Sequence, residues 1–218
     1  MGCFLTFEGP EGSGKTTQVQ LLYTELASAG YPVLLVREPG STAIGEQIRQ
    51  VLHDVRNVEM LPTAEVLLYS ASRAQLVGQV ILPALQAGQA VLCDRYAEST
   101  MAYQGYGHQL DLEQLRAITA FATGGLRPDL IVHLDIDVEE GLRRKQAAHR
   151  KDGSEWNRMD QKELDFHHRV RDGYLQLAAA DPSRWLTVDA GQPLDAVQAA
   201  IRQGVVPFLG KRGIGPSA

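Results

Sequence analysis

The chain has 218 residues, of which 44% are hydrophobic and 22% charged, and its formal net charge is −5. This length suits one α/β domain or at most two small ones, and the acidic balance argues against a nucleic-acid partner. No apolar run approaches the ~20 residues that span a bilayer, and no signal peptide is recognisable, so we expect a cytoplasmic protein that does not bind a membrane. Cys3 and Cys93 lie in apolar runs, without the spacing of a disulfide framework or a zinc site.

Short apolar runs alternate with amphipathic stretches along the whole chain. Strands are predicted at 3–8, 33–36, 90–93, 130–134 and 186–188, and helices at 15–29, 43–53, 63–85, 97–104, 111–123, 138–148, 161–180 and 194–204. The alternation predicts an α/β fold with a five-stranded parallel sheet and helices on both faces. Residues 1–208 are predicted to form a single domain. Segment 209–218, which contains Gly, Pro and Ser, is predicted to be a flexible tail.

A phosphate-binding loop pattern follows the first predicted strand. The run Gly9-Pro10-Glu11-Gly12-Ser13-Gly14-Lys15-Thr16-Thr17 matches G-x-x-x-x-G-K-T. Glycines allow backbone N–H groups to close around phosphate oxygens, Lys15 can reach the β- and γ-phosphates, and the Thr16 hydroxyl can bind Mg²⁺. The alternative is an ordinary glycine turn. Because a strand precedes the motif and a helix follows it, the sequence predicts binding of a nucleoside triphosphate.

Charged residues follow the next two strands, with Arg37 and Glu38 after the second and Asp94 and Arg95 after the third. Ligands of open α/β sheets bind beyond the carboxyl ends of the strands, so these residues are expected on the same side as the loop. Asp94 is predicted to direct Mg²⁺, with a helix N-cap as the alternative. His133 has no ligand partner at suitable spacing, which favours a histidine of the core or of a strand end.

Residues 143–160, here called the lid, form the most polar part of the chain. They are locally basic, in contrast to the acidic average. Two interpretations remain open: a solvated loop between helices, or a mobile segment that closes over an anionic ligand. Arg73 interrupts an apolar helical stretch, and two interpretations of it are also open: an arginine on the solvated face of the helix, or an arginine with a functional role.

Together these motifs resemble those of the thymidylate kinases, which make dTDP from dTMP and ATP. The resemblance covers about residues 3–206. Besides the loop, it rests on Arg37-Glu38-Pro39-Gly40, Tyr69-Ser70-Ala71-Ser72-Arg73, Asp94-Arg95-Tyr96, Ser99-Thr100-Met101-Ala102-Tyr103-Gln104-Gly105 and the lid with Arg158. It implies a P-loop kinase fold with a lid segment, ATP as phosphoryl donor, Mg²⁺ as cofactor and a homodimer.

The resemblance also implies individual roles. Loop residues from Gly9 to Thr17 would bind the ATP phosphates, and Thr16 and Asp94 would hold Mg²⁺. Arg95 would clamp the dTMP phosphate, and Tyr69, where most relatives have Phe, would stack on thymine. The dTMP-binding set implied in this way is Glu11, Arg37, Pro39, Tyr69, Arg73, Arg95, Ser99, Thr100, Tyr103 and Gln104.

Some relatives carry an arginine next to the acid of the loop, where this chain has Gly12. The resemblance therefore points to the bacterial subtype, in which the lid supplies the positive charge. Arg150 is the first candidate for that charge, with Arg144 and Arg158 as the others. The catalytic set implied is Lys15, Arg95, Glu11, Arg150 and Arg158. The alternatives are another deoxynucleotide or deoxynucleoside kinase on the same fold, and a non-catalytic nucleotide-binding module.

Overall fold

The computed structural model describes residues 2–216, and its centre is a parallel sheet of five strands in the order β2-β3-β1-β4-β5. The strands are Cys3–Glu8 (β1), Val33–Arg37 (β2), Ala90–Asp94 (β3), Leu130–Asp135 (β4) and Trp185–Asp189 (β5). The predicted parallel sheet is confirmed. Its register sets Asp94 level with both Arg37 and Phe7, so the carboxyl ends of β2, β3 and β1 lie side by side.

Helices cover both faces of the sheet. They are Lys15–Ser28 (α1), Ala43–His53 (α2), Pro62–Leu76 (α3), Leu82–Gln86 (α4), Ala97–Thr100 (α5), Leu112–Thr123 (α6), Val138–Asp152 (α7), Leu164–Ala180 (α8) and Leu194–Lys211 (α9). A π-helical segment, Val77–Ile81, joins α3 to α4, and a second, Met101–Gly107, continues α5. A 3₁₀ turn spans Arg158–Gln161.

Alternate residues of the central strands pack against different helices, as the period-2 geometry of a strand requires. Leu5 and Leu92 face a cluster that includes residues of α1 and α9, whereas Phe4 and Val91 face one that includes Leu76. Apolar burial on both faces explains why β1 and β3 are continuous hydrophobic runs. Cys3 and Cys93 are buried free thiols.

The C-terminal segment differs from the sequence expectation. Helix α9 continues to Lys211 instead of ending near residue 204, because Val205 and Leu209 extend its buried stripe. Ile214 also packs into the core, and Arg212 pairs with Asp129 at 2.9 Å. Residues 209–214 are therefore packed on the domain, in place of the predicted tail. Residues 217 and 218 of that prediction lie outside the described part.

Two further helices differ from their predicted bounds. The single helix predicted at 63–85 is interrupted by the first π-helical segment, and α7 extends to Asp152, four residues past 148, so part of the predicted lid is helical. Among residues 2–216, no helix is both long and apolar enough to cross a membrane.

Candidate active site

A cavity of about 600 Å³ opens at the carboxyl ends of β1, β2 and β3. The phosphate-binding loop forms one wall, and side chains from α3, the second π-helical segment and the lid form others. Every residue of the predicted dTMP-binding set lines this cavity, as do Lys15, Thr16 and Asp94. The structure thus brings the separated motifs together at one place, whereas their individual roles stay predictions.

The phosphate-binding loop ends at the N-terminus of α1. That helix has no side-chain cap and no acidic residue in its first turn, so its first N–H groups are available to an anion. Lys15 Nζ donates to the Pro10 carbonyl at 2.7 Å and to Ser13 Oγ at 3.1 Å. Burial, with Arg95 nearby, lowers the pKa of Lys15 to about 7. A phosphate group in the loop would supply the negative charge that this buried amine lacks.

Thr16 and Asp94 meet beside the loop, where the Thr16 hydroxyl donates to Asp94 Oδ2 at 2.6 Å. Both offer the oxygen ligands that Mg²⁺ prefers. Within residues 2–216, no cluster of three or more His, Cys, Asp or Glu side chains forms a metal site. An ion at Thr16 and Asp94 would therefore take its other ligands from nucleotide phosphates and water, as is usual for Mg²⁺ in phosphoryl transfer.

Arg95 occupies the centre of the cavity wall. Its φ of 69° lies in the left-handed region that non-glycine residues seldom adopt, and such conformations cluster at functional sites. Its side chain is 19% exposed and fans out over several acceptors. The guanidinium donates to Gly9 O (3.2 Å), Glu11 Oε1 (2.8 Å), Ser99 Oγ (3.2 Å), Tyr103 Oη (3.0 Å) and Tyr174 Oη (3.3 Å).

Glu8, which the sequence analysis missed, supports this wall from behind. It accepts hydrogen bonds from Tyr96 N at 2.7 Å, Ser99 Oγ at 2.6 Å and Tyr174 Oη at 3.0 Å. Burial raises the pKa of this carboxyl. An acid inside the apolar run that precedes the loop was the sequence signal for it.

Lys145 is the second functional candidate that the sequence analysis missed. Its Nζ donates to Glu11 Oε2 at 2.8 Å and pairs with Asp160 Oδ1 at 2.7 Å. Burial by itself raises the pKa of Glu11, but Lys145 and Arg95 outweigh burial and hold that pKa well below its ordinary value. Burial, with Glu11 nearby, raises the pKa of Asp160 to about 6. Lys145 shares a face of α7 with buried Val138 and Gly141, so helical spacing could have identified it.

The lid arginines of the predicted catalytic set do not line the cavity. Arg150 is exposed on the last turns of α7 because that helix continues to Asp152. Arg158 is 4% exposed and forms a buried ion pair with Glu65. Arg144, in contrast, does line the cavity, and it donates to the Ala190 carbonyl at 2.8 Å. The catalytic roles of Arg150 and Arg158 remain untested predictions, and the structure offers Lys145 and Arg144 instead.

Gly12 contacts the first turns of α7 directly. Its φ is +70°, and a Cβ there would lie 1.8 Å from the carbonyl oxygen of Gly141. A Cβ on Gly141 would in turn lie 2.3 Å from the carbonyl oxygen of Glu11. The loop and the helix that enters the lid therefore meet backbone to backbone, and no arginine fits at position 12 in this arrangement.

Arg73 forms the far end of the cavity. It is 1% exposed, and its Nε donates to Glu38 Oε2 at 2.8 Å. Its Nη2 donates to Tyr96 O at 3.0 Å and Thr100 Oγ1 at 3.1 Å. Its Nη1 is buried and has no partner among the described residues. The solvated-face interpretation of Arg73 is therefore wrong, and one donor remains for a ligand.

Arg37 also lines the cavity, but its guanidinium is already engaged. Its Nη2 lies 2.8 Å from both carboxylate oxygens of Glu46, and the two side chains are about two-fifths exposed, at 42% and 41%. An anion could therefore compete with Glu46 for Arg37, whereas Arg95 is held in place by several bonds.

Comparison with known proteins identifies relatives across nearly the whole chain. A family model described as thymidylate kinase matches residues 7–201. A thymidylate kinase of Roseiflexus sp. (strain RS-1) is 54% identical, with 96% of each chain covered, and one of Deinococcus radiodurans is 52% identical, with 92% of this chain and 94% of the relative covered. Among solved structures, a thymidylate kinase from Ehrlichia chaffeensis superposes on this chain with a TM-score of 0.74 and 29% sequence identity. The match covers 93% of this chain and 97% of that one.

Proposed function

The chain belongs to the thymidylate kinase family and phosphorylates dTMP to dTDP, and we propose that the cavity beside the phosphate-binding loop is where ATP and dTMP react. The observation that carries this proposal is the position of Arg95. Its guanidinium lies within hydrogen-bond distance of the loop at Gly9 O and faces the same cavity as Lys15. A planar guanidinium suits bidentate phosphate binding, so Arg95 would hold the acceptor phosphate next to the donor phosphates.

The reaction needs positioning and charge neutralisation more than proton transfer. The acceptor phosphate is already an anion, so no strong general base is required. Lys15 and the N-terminus of α1 would hold the donor phosphates, and Arg95 would align the acceptor oxygen with the γ-phosphorus. Lys145, a lid cation that contacts the loop at Glu11, would keep Glu11 ionised and oriented beside Arg95. Closure of the lid would exclude water and so limit hydrolysis of ATP.

We propose Mg²⁺ as the cofactor, held by Thr16 and, directly or through water, by Asp94. When bound with ATP, the ion neutralises charge on the phosphate oxygens. The chain's own contribution is the 2.6 Å contact between Thr16 Oγ1 and Asp94 Oδ2, which orders both oxygens before the nucleotide arrives.

The far end of the cavity suits the acceptor base. Tyr69 would stack on the ring, and the free Nη1 of Arg73 would donate to a carbonyl oxygen of thymine. Tyr103, whose hydroxyl donates to Glu11 Oε1 at 2.8 Å, would lie against the deoxyribose. The predicted cytoplasmic location stays a proposal, which a reaction on ATP and dTMP supports.

We also propose a homodimer. Helix α3 packs between α2 and α6, and these three helices carry large apolar side chains that are exposed in the single chain. Ile44 is 52%, Leu67 60% and Phe121 93% exposed. Large exposed apolar side chains on three helices that pack side by side are typical of a protein–protein interface.

The test of the proposed function is a series of acceptors supplied with ATP and Mg²⁺, with release of ADP as the readout. We expect fast turnover with dTMP, slower turnover with dUMP and none with thymidine, because thymidine offers no phosphate to Arg95. Turnover with thymidine would instead favour a nucleoside kinase. A nucleotide-binding module would bind ATP without any acceptor-dependent release of ADP.

A further inference from the structure

A buried carboxylate lies behind the base end of the cavity, outside the set of residues that line it. Glu65 is on α3, one helical turn before Tyr69, and is fully buried. Its Oε1 accepts a hydrogen bond from Gln104 Nε2 at 2.6 Å and lies 3.4 Å from His108 Nε2. Its Oε2 accepts from Arg158 Nη2, which belongs to the lid. Glu65 therefore connects the lid to the end of the cavity that would hold the base.

The charge of Glu65 determines which way the Gln104 amide points. Burial alone raises the pKa of Glu65, but the hydrogen bond from His108 and the charge of Arg158 outweigh burial and lower that pKa to about 2. An ionised carboxylate only accepts hydrogen bonds, so it must face the NH₂ group of Gln104. The carbonyl Oε1 of Gln104 then points away from Glu65. Gln104 lines the cavity, and within residues 2–216 its Oε1 has no hydrogen-bond partner.

We propose that Glu65, held by Arg158 of the lid, is a positioning residue that turns the carbonyl of Gln104 toward the cavity and so selects the acceptor base. This inference rests on the proposed dTMP site. The cavity would present a donor, Arg73 Nη1, and an acceptor, Gln104 Oε1. Thymine and uracil offer the complementary pair, the O4 acceptor and the N3–H donor. Cytosine offers an amino donor and an unprotonated N3, so it would be mismatched at both positions.

The Arg158 contact adds a link between the lid and the acceptor. Arg158 lies in the 3₁₀ turn and also donates to the Leu52 carbonyl of α2 at 3.3 Å. When the lid is in this position, the orientation of Gln104 is fixed through Glu65. Arg158 thus acts on the base through other side chains, which accounts for its burial away from the phosphate-binding loop.

The test is Glu65→Gln, a variant of the same size without the charge. Arg158 retains the carbonyl of the new amide as its acceptor, so the NH₂ group faces Gln104 and turns the Gln104 amide over. The measured quantities are KM for dTMP and for dUMP, and Ki of dCMP as a competitor of dTMP. We expect the preference for dTMP over dCMP to fall about tenfold or more, whereas the ratio between dTMP and dUMP stays unchanged, because those two bases share the same edge.

The matched control is Asp129→Asn. Asp129 is likewise a carboxylate paired with an arginine, Arg212, and it accepts a hydrogen bond from Phe4 N at 2.9 Å, but it lies at the amino end of the sheet. We expect this variant to lower Tm and to leave both ratios unchanged. If Glu65→Gln alone does not fold, the double variant Glu65→Gln/Arg158→Met leaves no buried charge at this place. Without Arg158 neither amide is held in one orientation, so this variant is expected to lose part of the same discrimination.

Two results would overturn the inference. In the first, Glu65→Gln weakens the binding of dTMP and of dCMP by the same factor, which is the behaviour of a purely structural residue. In the second, the ratio between dTMP and dUMP shifts as strongly as that between dTMP and dCMP, which indicates general damage to the cavity. Failure of the unaltered enzyme to use dTMP would instead overturn the proposed site itself and would be seen before any variant is made.

Discussion

Replacing Lys145 by methionine tests which cation of the lid serves the reaction. Lys145 Nζ makes two contacts with carboxylates, at 2.8 Å to Glu11 and at 2.7 Å to Asp160. A hydrogen bond to a charged group contributes about 1.5–3 kcal/mol. If the contact with Glu11 matters mainly in the transition state, its loss lowers kcat by about 10- to 150-fold. The side chain of Asp160 is completely buried, and without Lys145 its pKa should rise further above the present value of about 6.

The assay is initial-rate kinetics with dTMP and ATP, at a temperature where circular dichroism shows that the variant is folded. Arg150→Met is the matched control, because it removes a lid cation that is exposed and does not line the cavity. We expect Arg150→Met to keep nearly the full kcat. In Lys145→Met we expect kcat to fall by the factor given above, while KM for ATP changes little. A larger loss in Arg150→Met than in Lys145→Met would contradict the role of Lys145 and restore Arg150 as the catalytic candidate.

The remaining predictions concern stability and assembly. Burial lowers the pKa of His133 from 6.5 to about 4, so between these pH values the unfolded chain binds a proton that the folded chain does not. The free energy of unfolding therefore decreases by about 3 kcal/mol as the pH is lowered through this window. Urea unfolding at pH 7 and 4.5 should show this loss reduced in His133→Phe, and an equal loss in both proteins would contradict it. Gly12→Ala should reduce the free energy of unfolding by about 2–4 kcal/mol, because it adds a clash to the strain of positive φ. Gly14→Ala, at φ +85° with nothing within 4 Å of its Cβ, carries only the strain and should lose less stability, and thermal denaturation of both variants measures the difference. Leu67→Glu should give a monomer by light scattering, and a persistent dimer would exclude this face as the interface.

The sheet and the cavity could be predicted because local sequence determines them directly. Apolar runs define β1 to β4, and the alternation of strands and helices allows few topologies. A parallel sheet then brings the carboxyl ends of its strands to one edge, which is why Arg37 and Asp94 end up level with the loop. Many of the residues that line the cavity lie at such strand ends or on the first turns after them, whereas Tyr69 and Arg73 come from α3 and Glu155 and Asn157 come from the lid.

The lid could not be predicted to the same depth. Helix α7 is strongly polar, so its continuation to Asp152 has no hydrophobic pattern to indicate it, and Arg150 was expected to lie in a loop. Helical spacing places Lys145 on the buried face of α7, but its approach to Glu11 depends on the backbone contact between Gly12 and Gly141, which joins segments that are distant in sequence. The same limit applies to Glu65, because its partners, Gln104 and Arg158, come from two other parts of the chain.

The most direct test of the account is Arg95→Ala, measured for both substrates. We expect kcat/KM for dTMP to fall by at least about 10²-fold, because the variant lacks the donors that would hold the acceptor phosphate. Binding of a non-hydrolysable ATP analogue, measured by calorimetry, should be preserved, since Lys15 and the loop remain. Turnover of dTMP close to that of the unaltered enzyme would contradict the assignment of Arg95 as the acceptor clamp, and with it the placement of dTMP in this cavity.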